Sequence, residues 1–256
     1  MRIARFSDRA GGDPRFGIVD GDELVVLTGD PIFQGFETLD VRLPLDSVKL
    51  LAPVIPRSKV VAIGMNYLEH KQELGHEGPA APLMFLKPNT SVIGPGEFIQ
   101  IPPVEGRIVH EGELALVIGK VAKSVDAANW RDYVFGFTIA NDVSARDQMF
   151  ADGQWARAKG YDTFCPLGPW IETDLDPSAL EIQTFVDDEP RRHGNTRDLI
   201  HGLPEIVAYA SDCWTLLPGD VIITGTPAGL GGFTDGQTVR IEIEGIGSLS
   251  NPARNR

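Results

Sequence analysis

Short apolar runs separated by glycine and proline turns dominate the hydrophobic pattern of this chain. Apolar runs of about four to eight residues between turn residues are typical of buried strands. They predict strands at 2–6, 16–19, 23–27, 59–63, 132–140, 180–187, 220–224 and 237–243. The most helical spacing lies within 195–213, where Ile206, Ala210 and Cys213 recur on one face. Strands outnumber helices and no regular βαβ alternation appears, so we predict an α+β protein that is mainly β.

A domain boundary is predicted near residue 55. Asp20-Gly21 separates two N-terminal strands in the manner of a tight hairpin turn. The segment Pro53-Val54-Ile55-Pro56 then forms a short connector before the next buried run. We therefore predict a small N-terminal domain at 1–55 and a larger domain at 56–256.

The segment 109–118 reads as a buried strand with two carboxylates on one face. Because side chains alternate along a strand, Glu111 and Glu113 share a face with Ala115 and Val117. Two such charges at a separation of about 6 Å and an effective dielectric constant of about 20 repel by roughly 3 kcal/mol. A bound cation would relieve this repulsion. The alternative is that both glutamates lie at a wet strand end and are solvated.

A third carboxylate and an arginine follow another apolar strand. Asp142 would complete an all-oxygen trio with the two glutamates, and such a ligand set suits Mg²⁺ or Mn²⁺ first and Ca²⁺ as a substitute. Asp142 could instead cap the following turn. Arg146 could pair with an acid or hold a substrate carboxylate in a bidentate contact.

Three further segments carry candidate chemistry. His70 and Glu73 are three residues apart in a short predicted helix, where a carboxylate beside an imidazole raises its basicity, as a general base requires. The alternative is an ordinary solvated helix face. Lys159 could stabilise an oxyanion or be a surface charge. The small-residue loop with Gly225 and Thr226 could bind a carboxylate or phosphate or be a tight turn, and it lacks the ending of a P-loop.

Composition and charge restrict the partners of this chain. Its 256 residues have a formal net charge of −13, which disfavours nucleic acid and anionic membrane surfaces. Two cysteines are too few for a disulfide scaffold or a four-cysteine zinc site. The N-terminus lacks the apolar core of a signal peptide and no run is as long as a membrane span, so a cytoplasmic location is expected.

Taken together, these segments resemble the fumarylacetoacetate hydrolase family. The likeness runs from about residue 60 to 239 and rests on an ordered set of motifs. The motifs are Asn66-Tyr67, His70, Glu73, Phe85-Leu86-Lys87-Pro88, Glu111-Gly112-Glu113-Leu114, Asn141-Asp142, Ala145-Arg146-Asp147, Lys159, Phe164-Cys165-Pro166-Leu167-Gly168-Pro169, Gly194-Asn195-Thr196 and Thr224-Gly225-Thr226-Pro227.

The resemblance implies a mixed β-roll catalytic domain, a small β-rich N-terminal domain and a homodimer. It implies that Mg²⁺ or Mn²⁺ is held by Glu111, Glu113 and Asp142. It further implies that His70 and Glu73 form a base dyad on a lid and that Lys159 is an active-site lysine. Substrate-binding residues would be Tyr67, Arg146, Gly225 and Thr226. One departure concerns a substrate-contacting glutamine of many relatives: Gln148 comes one residue early, and Met149 takes its place.

The implied substrate is a small anionic 2-oxo (enol) acid that reacts through a metal-stabilised enolate. The resemblance includes isomerases of 2-hydroxy-diene-dioates and hydrolases that cleave a C–C bond of acylpyruvates, both in aromatic-compound catabolism. Oxaloacetate-type decarboxylation is an alternative outcome of the same enolate. Two other classes compete with these enzymes: a non-catalytic binding protein on the same scaffold, and a phosphoesterase built on three carboxylates. The presence of every base and ligand position favours the enzyme.

Overall fold

Strands dominate the computed structural model, which describes residues 1–67, 80–229 and 231–256. They are β1 (Arg2–Asp8), β2 (Arg15–Asp20), β3 (Glu23–Leu27), β4 (Thr38–Pro44), β5 (Val48–Leu51), β6 (Val60–Gly64), β7 (Leu83–Lys87), β8 (Val92–Ile93), β9 (Ile99–Ile101), β10 (Ile108–Val109), β11 (Gly112–Ile118), β12 (Val134–Asn141), β13 (Ser144–Ala145), β14 (Cys165–Glu172), β15 (Glu181–Val186), β16 (Glu189–Asn195), β17 (Val221–Ile223), β18 (Thr238–Ile243) and β19 (Gly247–Asn255). The α-helices of the described ranges are α1 (Arg146–Asp152), α2 (Ala156–Lys159) and α3 (Leu203–Cys213). The predicted α+β, mainly β class is confirmed.

One large mixed sheet runs through the molecule in the order β4-β3-β2-β1-β14-β12-β11-β17-β6-β7, with β5 paired to β1 and β8 paired to β14. Most neighbours are antiparallel, while β17 pairs with β6 in parallel. A second sheet has the order β16-β15-β18-β19-β9, and β10 pairs with β13 separately.

The alternation of side chains along β11 builds two cores. Leu114, Leu116 and Ile118 point into the larger core, which also contains apolar residues of β15, β18 and α3. Ala115 and Val117 point into a second core with residues of β6, β14 and β17. Because β11 is covered on both faces, side chains at its start are buried as well.

The N-terminal strands have a small core of their own, formed by Ala4, Phe6, Leu24, Val26 and Val48. They nevertheless continue the large sheet, because β1 pairs with β14 through Arg2–Glu172 and Ile3–Ile171. The predicted division at residue 55 stays a prediction.

Two elements differ from their predictions. The predicted strand at 109–118 is divided at His110 and Glu111 into β10 and β11. Here the Glu111 N–H donates to the side-chain oxygen of Asn141 at 3.0 Å, in place of a continuous strand ladder. The helix predicted within 195–213 begins only at Leu203, with a proline in its first turn. Its buried face includes Ile206 and Ala210, whereas Cys213 is exposed.

Within the described ranges, no helix is long and apolar enough to span a membrane.

Candidate metal centre

Three carboxylates converge where β11 begins and β12 ends. The antiparallel register pairs Gly112 with Asn141, so the residues that flank these two become neighbours. The Asp142 N–H donates to the Glu111 carbonyl at 2.8 Å. Glu111, Glu113 and Asp142 each place a carboxylate oxygen within 4.8 Å of the others, and all three side chains are buried. The structure therefore brings together the three acids that the sequence proposed as ligands.

Two buried lysines compensate part of this charge. The Lys159 ammonium donates to Glu111 Oε2 at 2.7 Å and to Asp142 Oδ2 at 2.6 Å. The Lys87 ammonium donates to Asp142 Oδ1 at 2.6 Å and also to the carbonyl oxygen of Lys159. Asp142 thus lies between two ammonium groups. Lys87 also connects the end of β7 to Lys159 through the Lys159 carbonyl oxygen.

The pKa directions follow from burial and these contacts. Burial opposes the positive charge of Lys159, but Asp142 and Glu111 outweigh it and raise the pKa of the ammonium. Burial alone would raise the pKa of Glu111. Nearby positive charges, with Lys159 the strongest of them, outweigh burial and lower this pKa. For Glu113 burial and the repulsion of Asp142 and Glu111 act in the same direction, and its pKa lies well above the ordinary value.

Glu113 is the carboxylate of this cluster that forms no ion pair with the described residues. Its Oε2 accepts the N–H of Gly225 at 2.6 Å, and no cationic side chain of the described residues forms an ion pair with it. A buried carboxylate beside two others is costly unless a positive charge compensates it. The donor set is entirely oxygen, as Mg²⁺ and Mn²⁺ prefer. These residues therefore fit a hard divalent cation.

A pocket opens beside the carboxylates. Lys159, Arg146 and Thr226 line it together with an apolar wall that includes Met149 and Trp155. The Arg146 side chain is 4% exposed, and among the described residues Nε has no hydrogen-bond acceptor. A guanidinium with a free donor beside the carboxylates is available to an anionic ligand.

The apolar wall depends on which side chains of α1 face the pocket. Met149 faces the pocket, whereas the side-chain amide of Gln148 is hydrogen-bonded to the hydroxyl of Tyr161 at 2.9 Å. The Trp155 ring covers Gly64, where a Cβ would lie 2.3 Å from its Cζ3 atom. Met149, and not a glutamine, thus lines the pocket from this helix.

The structure places the other predicted site residues in different surroundings. Thr226 lines the pocket, while the N–H of Gly225 is occupied by Glu113. Tyr67 is buried, and its hydroxyl has no partner in the described part of the chain. The proposed base pair, His70 and Glu73, lies outside the described residues.

Sequence reasoning assigned no role to two buried cations near the carboxylates, Lys87 and Arg192. Lys87 is 1% exposed although it ends an otherwise apolar strand, and that position was the one indication of its role. Arg192 lies in a polar strand next to an exposed arginine, Arg191, so nothing in the local pattern separates the two. Only the pairing of β16 with β15 and its packing against the 224–229 loop bury Arg192.

Comparison with known proteins decides the family. Residues 59–254 match the model described as fumarylacetoacetate (FAA) hydrolase C-terminal, and residues 1–53 match an N-terminal model described as Rv2993c-like. The chain belongs to the fumarylacetoacetate hydrolase family. The resemblance found in the sequence is thereby confirmed.

Two curated relatives cover almost the whole chain. Protein Rv2993c of Mycobacterium tuberculosis is 52% identical over 98% of this chain and 97% of its own length. A mitochondrial oxaloacetate tautomerase, fahd2, of Xenopus laevis is 37% identical over 98% of this chain and 90% of its own.

Solved structures of three enzymes share the fold over the full chain. A 5-carboxymethyl-2-hydroxymuconate delta-isomerase from Mycobacterium smegmatis is 46% identical with a TM-score of 0.92, covering 100% of both chains. A 2-hydroxyhepta-2,4-diene-1,7-dioate isomerase from Mycobacterium marinum is 44% identical with a TM-score of 0.91, covering 100% of this chain and 99% of that one. A maleylpyruvate hydrolase from Sphingobium sp. SYK-6, in complex with manganese(II) and pyruvate, is 35% identical with a TM-score of 0.83 and the same coverage. The family's neighbours thus include both isomerases and hydrolases.

Proposed function

We propose that this chain is a Mg²⁺- or Mn²⁺-dependent enzyme that acts on a small 2-oxo or enol acid. The observation that carries the proposal is the convergence of three buried carboxylates beside Lys159 in a pocket. Glu111, Glu113 and Asp142 would hold the ion. Bound there, it would supply Lewis-acid polarisation of the carboxylate and keto oxygens of the substrate.

The chain's own residues supply the remaining requirements. Lys159 places a permanent positive charge beside the carboxylates, where it stabilises negative charge that develops on a substrate oxygen. Arg146 can donate from Nε to a substrate carboxylate. The apolar wall with Trp155 and Met149 excludes water from one side of the substrate. The predicted base, His70 with Glu73, would move the proton.

Isomerisation of a 2-hydroxy-diene-dioate is the reaction we favour. The solved structures at 46% and 44% identity are both structures of isomerases, and this reaction needs only proton transfer. The tautomerase relative at 37% identity is also named for a proton shift, which supports the same class.

Hydrolytic C–C cleavage of an acylpyruvate is the second candidate. It is favoured by the maleylpyruvate hydrolase structure, which shares 35% identity and contains manganese(II) and pyruvate. For this reaction the base pair would activate water and not only shuttle a proton.

An absorbance assay separates the candidates. Purified protein with Mg²⁺ or Mn²⁺ is offered a dienol diacid, an acylpyruvate and oxaloacetate, and pyruvate is measured in parallel. A spectral shift without pyruvate indicates isomerisation, and loss of diketo absorbance with pyruvate indicates hydrolysis. The metal-dependent proposal is wrong if turnover of these substrates persists unchanged after the protein is stripped with a chelator.

A variant of His70 tests the division of labour. We expect His70→Ala to lose turnover and to keep Mn²⁺ affinity, because the proposed base is not a ligand. Calorimetric Mn²⁺ titration and the absorbance assay give the two readouts. A loss of Mn²⁺ binding in this variant would contradict the assignment of His70 as a base.

We also propose that the enzyme is a homodimer, as the family resemblance implies. Light scattering of the eluted protein tests this assembly, and a mass near 27.8 kDa would contradict it.

A further inference from the structure

A buried arginine lies beneath the loop that carries Thr226. Arg192, on β16, is 4% exposed. Its Nη1 donates to Thr226 Oγ1 at 2.8 Å and to the carbonyl oxygen of Pro227 at 2.9 Å. One guanidinium nitrogen therefore fixes both the side chain of Thr226 and the backbone that follows it.

The direction of this hydrogen bond sets the polarity of the threonine hydroxyl. A guanidinium can only donate, so Thr226 Oγ1 must accept from Arg192 and keeps its own hydrogen for another acceptor. Among the described residues, the hydrogen bond from Arg192 is the one that the Thr226 hydroxyl forms, and no residue accepts the hydroxyl hydrogen. Thr226 lines the pocket together with Lys159 and Arg146, so a ligand in the pocket is the available acceptor.

Close packing leaves the contact little room to relax. A Cβ at Gly194 would lie 2.4 Å from Pro227 Cγ, and a Cβ at Gly229 would lie 3.2 Å from Arg192 Cγ. Gly229 also has a φ of +107°, a conformation that favours glycine. The loop and the strand thus touch on both sides of the arginine contact.

We propose that Arg192 is a positioning residue that makes the Thr226 hydroxyl a donor to the carboxylate of the bound 2-oxo acid. The inference rests on the proposed function, since that function supplies the ligand. It predicts that loss of Arg192 weakens binding of a carboxylate in the pocket without weakening binding of the metal ion.

Pyruvate titrated calorimetrically into Mn²⁺-loaded protein tests this prediction. We expect Arg192→Met to weaken pyruvate binding by about tenfold or more, the effect of losing a hydrogen bond to a charged group. Mn²⁺ affinity, titrated separately, should not fall, because Arg192→Met removes a positive charge that acts on Glu111. Arg191→Met is the matched control: it removes the same charge from the neighbouring residue, whose partner is the exposed Glu189.

Variants of the threonine test the proposed donor. Thr226→Ser keeps a hydroxyl and should keep pyruvate affinity, whereas Thr226→Val should lose it. Because the two residues act through one contact, Arg192→Met should weaken binding little further when Thr226 is already valine. Independent, multiplicative effects of the two variants would overturn the inference.

The outcomes separate this inference from the proposed function. If wild-type protein binds neither Mn²⁺ nor pyruvate, the proposed function fails and this inference fails with it. If the wild type binds both and Arg192→Met binds pyruvate as tightly, only the inference is overturned. Should Arg192→Met not fold, the threonine variants decide the question: equal pyruvate affinity of Thr226→Ser and Thr226→Val would overturn the inference.

Discussion

Two buried aspartates, Asp220 and Asp142, lie at strand ends but differ in the charged groups around them. Asp220 precedes β17 and accepts from Ser58 Oγ, from the backbone N–H groups of Lys59 and Leu217, and from Lys59 Nζ at 2.6 Å. The single carboxylate is thus satisfied by one cation and three neutral donors. It joins the start of β6 to the start of β17, two strands that pair in parallel.

Asp142 is equally buried but shares its space with two more carboxylates. Its side-chain oxygens contact the ammonium groups of Lys87 and Lys159, and Glu113 beside it has no cationic partner among the residues described. A buried acid with a complete donor set stabilises the fold, whereas a buried acid that lacks a cationic partner beside other carboxylates, as Glu113 does among the residues described, favours binding of another cation. Because both aspartates are buried, the neighbouring carboxylates, and not burial, separate a candidate ligand from a structural acid.

The largest expected effect is loss of metal binding when one acid of the cluster is removed. Glu111→Gln should reduce Mn²⁺ affinity and turnover by more than about 100-fold, since a ligand contributes more than its supporting contacts do. Calorimetry and the absorbance assay measure the two quantities. The exposed Glu105→Gln is the charge-matched control, and full turnover of Glu111→Gln would show that the ligand assignment is wrong.

Removing Asp220 should have the converse result. Asp220→Ala leaves Lys59 Nζ and the part-buried N–H groups of Lys59 and Leu217 without their acceptor, so we expect a loss of about 3 kcal/mol in the free energy of unfolding. Urea denaturation measures it. Mn²⁺ affinity of the folded variant should stay within about twofold of the wild type; a marked loss would mean that the two aspartates do not have separate roles.

A smaller effect is expected from Glu113 in the metal-free protein. Glu113→Gln removes one of the repelling charges and should raise the free energy of unfolding by about 1 kcal/mol at pH 8, measured with a chelator present. The same variant should lose stabilisation by Mn²⁺. Lower metal-free stability than the wild type would contradict the proposed repulsion.

The effect of Glu113 should also depend on pH. Because the folded-state pKa of Glu113 is raised above its ordinary 4.5, protonation is favoured in the folded state. Its stabilising contribution is therefore present below pH 4.5 and is lost as pH rises through the raised value. The difference in stability between Glu113→Gln and the wild type should grow over that range. A difference that is constant with pH would contradict the raised pKa.

The smallest effect concerns the reactivity of Cys165, a buried thiol whose protection depends on the exclusion of water from the region next to Asp142. Cys165 begins β14 and is buried, and burial raises the pKa of its thiol to about 12, whereas Cys213 is exposed. A thiol reagent at pH 8 should modify one cysteine per folded chain and both after unfolding. Cys213→Ser should abolish the fast reaction; rapid modification of this variant would show that water reaches the region next to Asp142.

Local patterns in the sequence predicted the β-rich class and the pairing of candidate acids, because strand periodicity and charge spacing are visible in one dimension. Glu111, Glu113 and Asp142 were found by that means, since all three lie at the ends of apolar runs. The break at His110 and Glu111 was not, because it depends on the Asn141 side chain of another strand.

Residue order alone specifies the strand-rich core, the three acids and the motifs by which the family is recognised. Which donor meets which acceptor depends on the folded chain: Lys87 donates to Asp142, the N–H of Gly225 to Glu113 and Arg192 to Thr226. These contacts join residues 34 to 112 positions apart along the chain. Strand register and sheet packing set their geometry, and local residue patterns do not encode it.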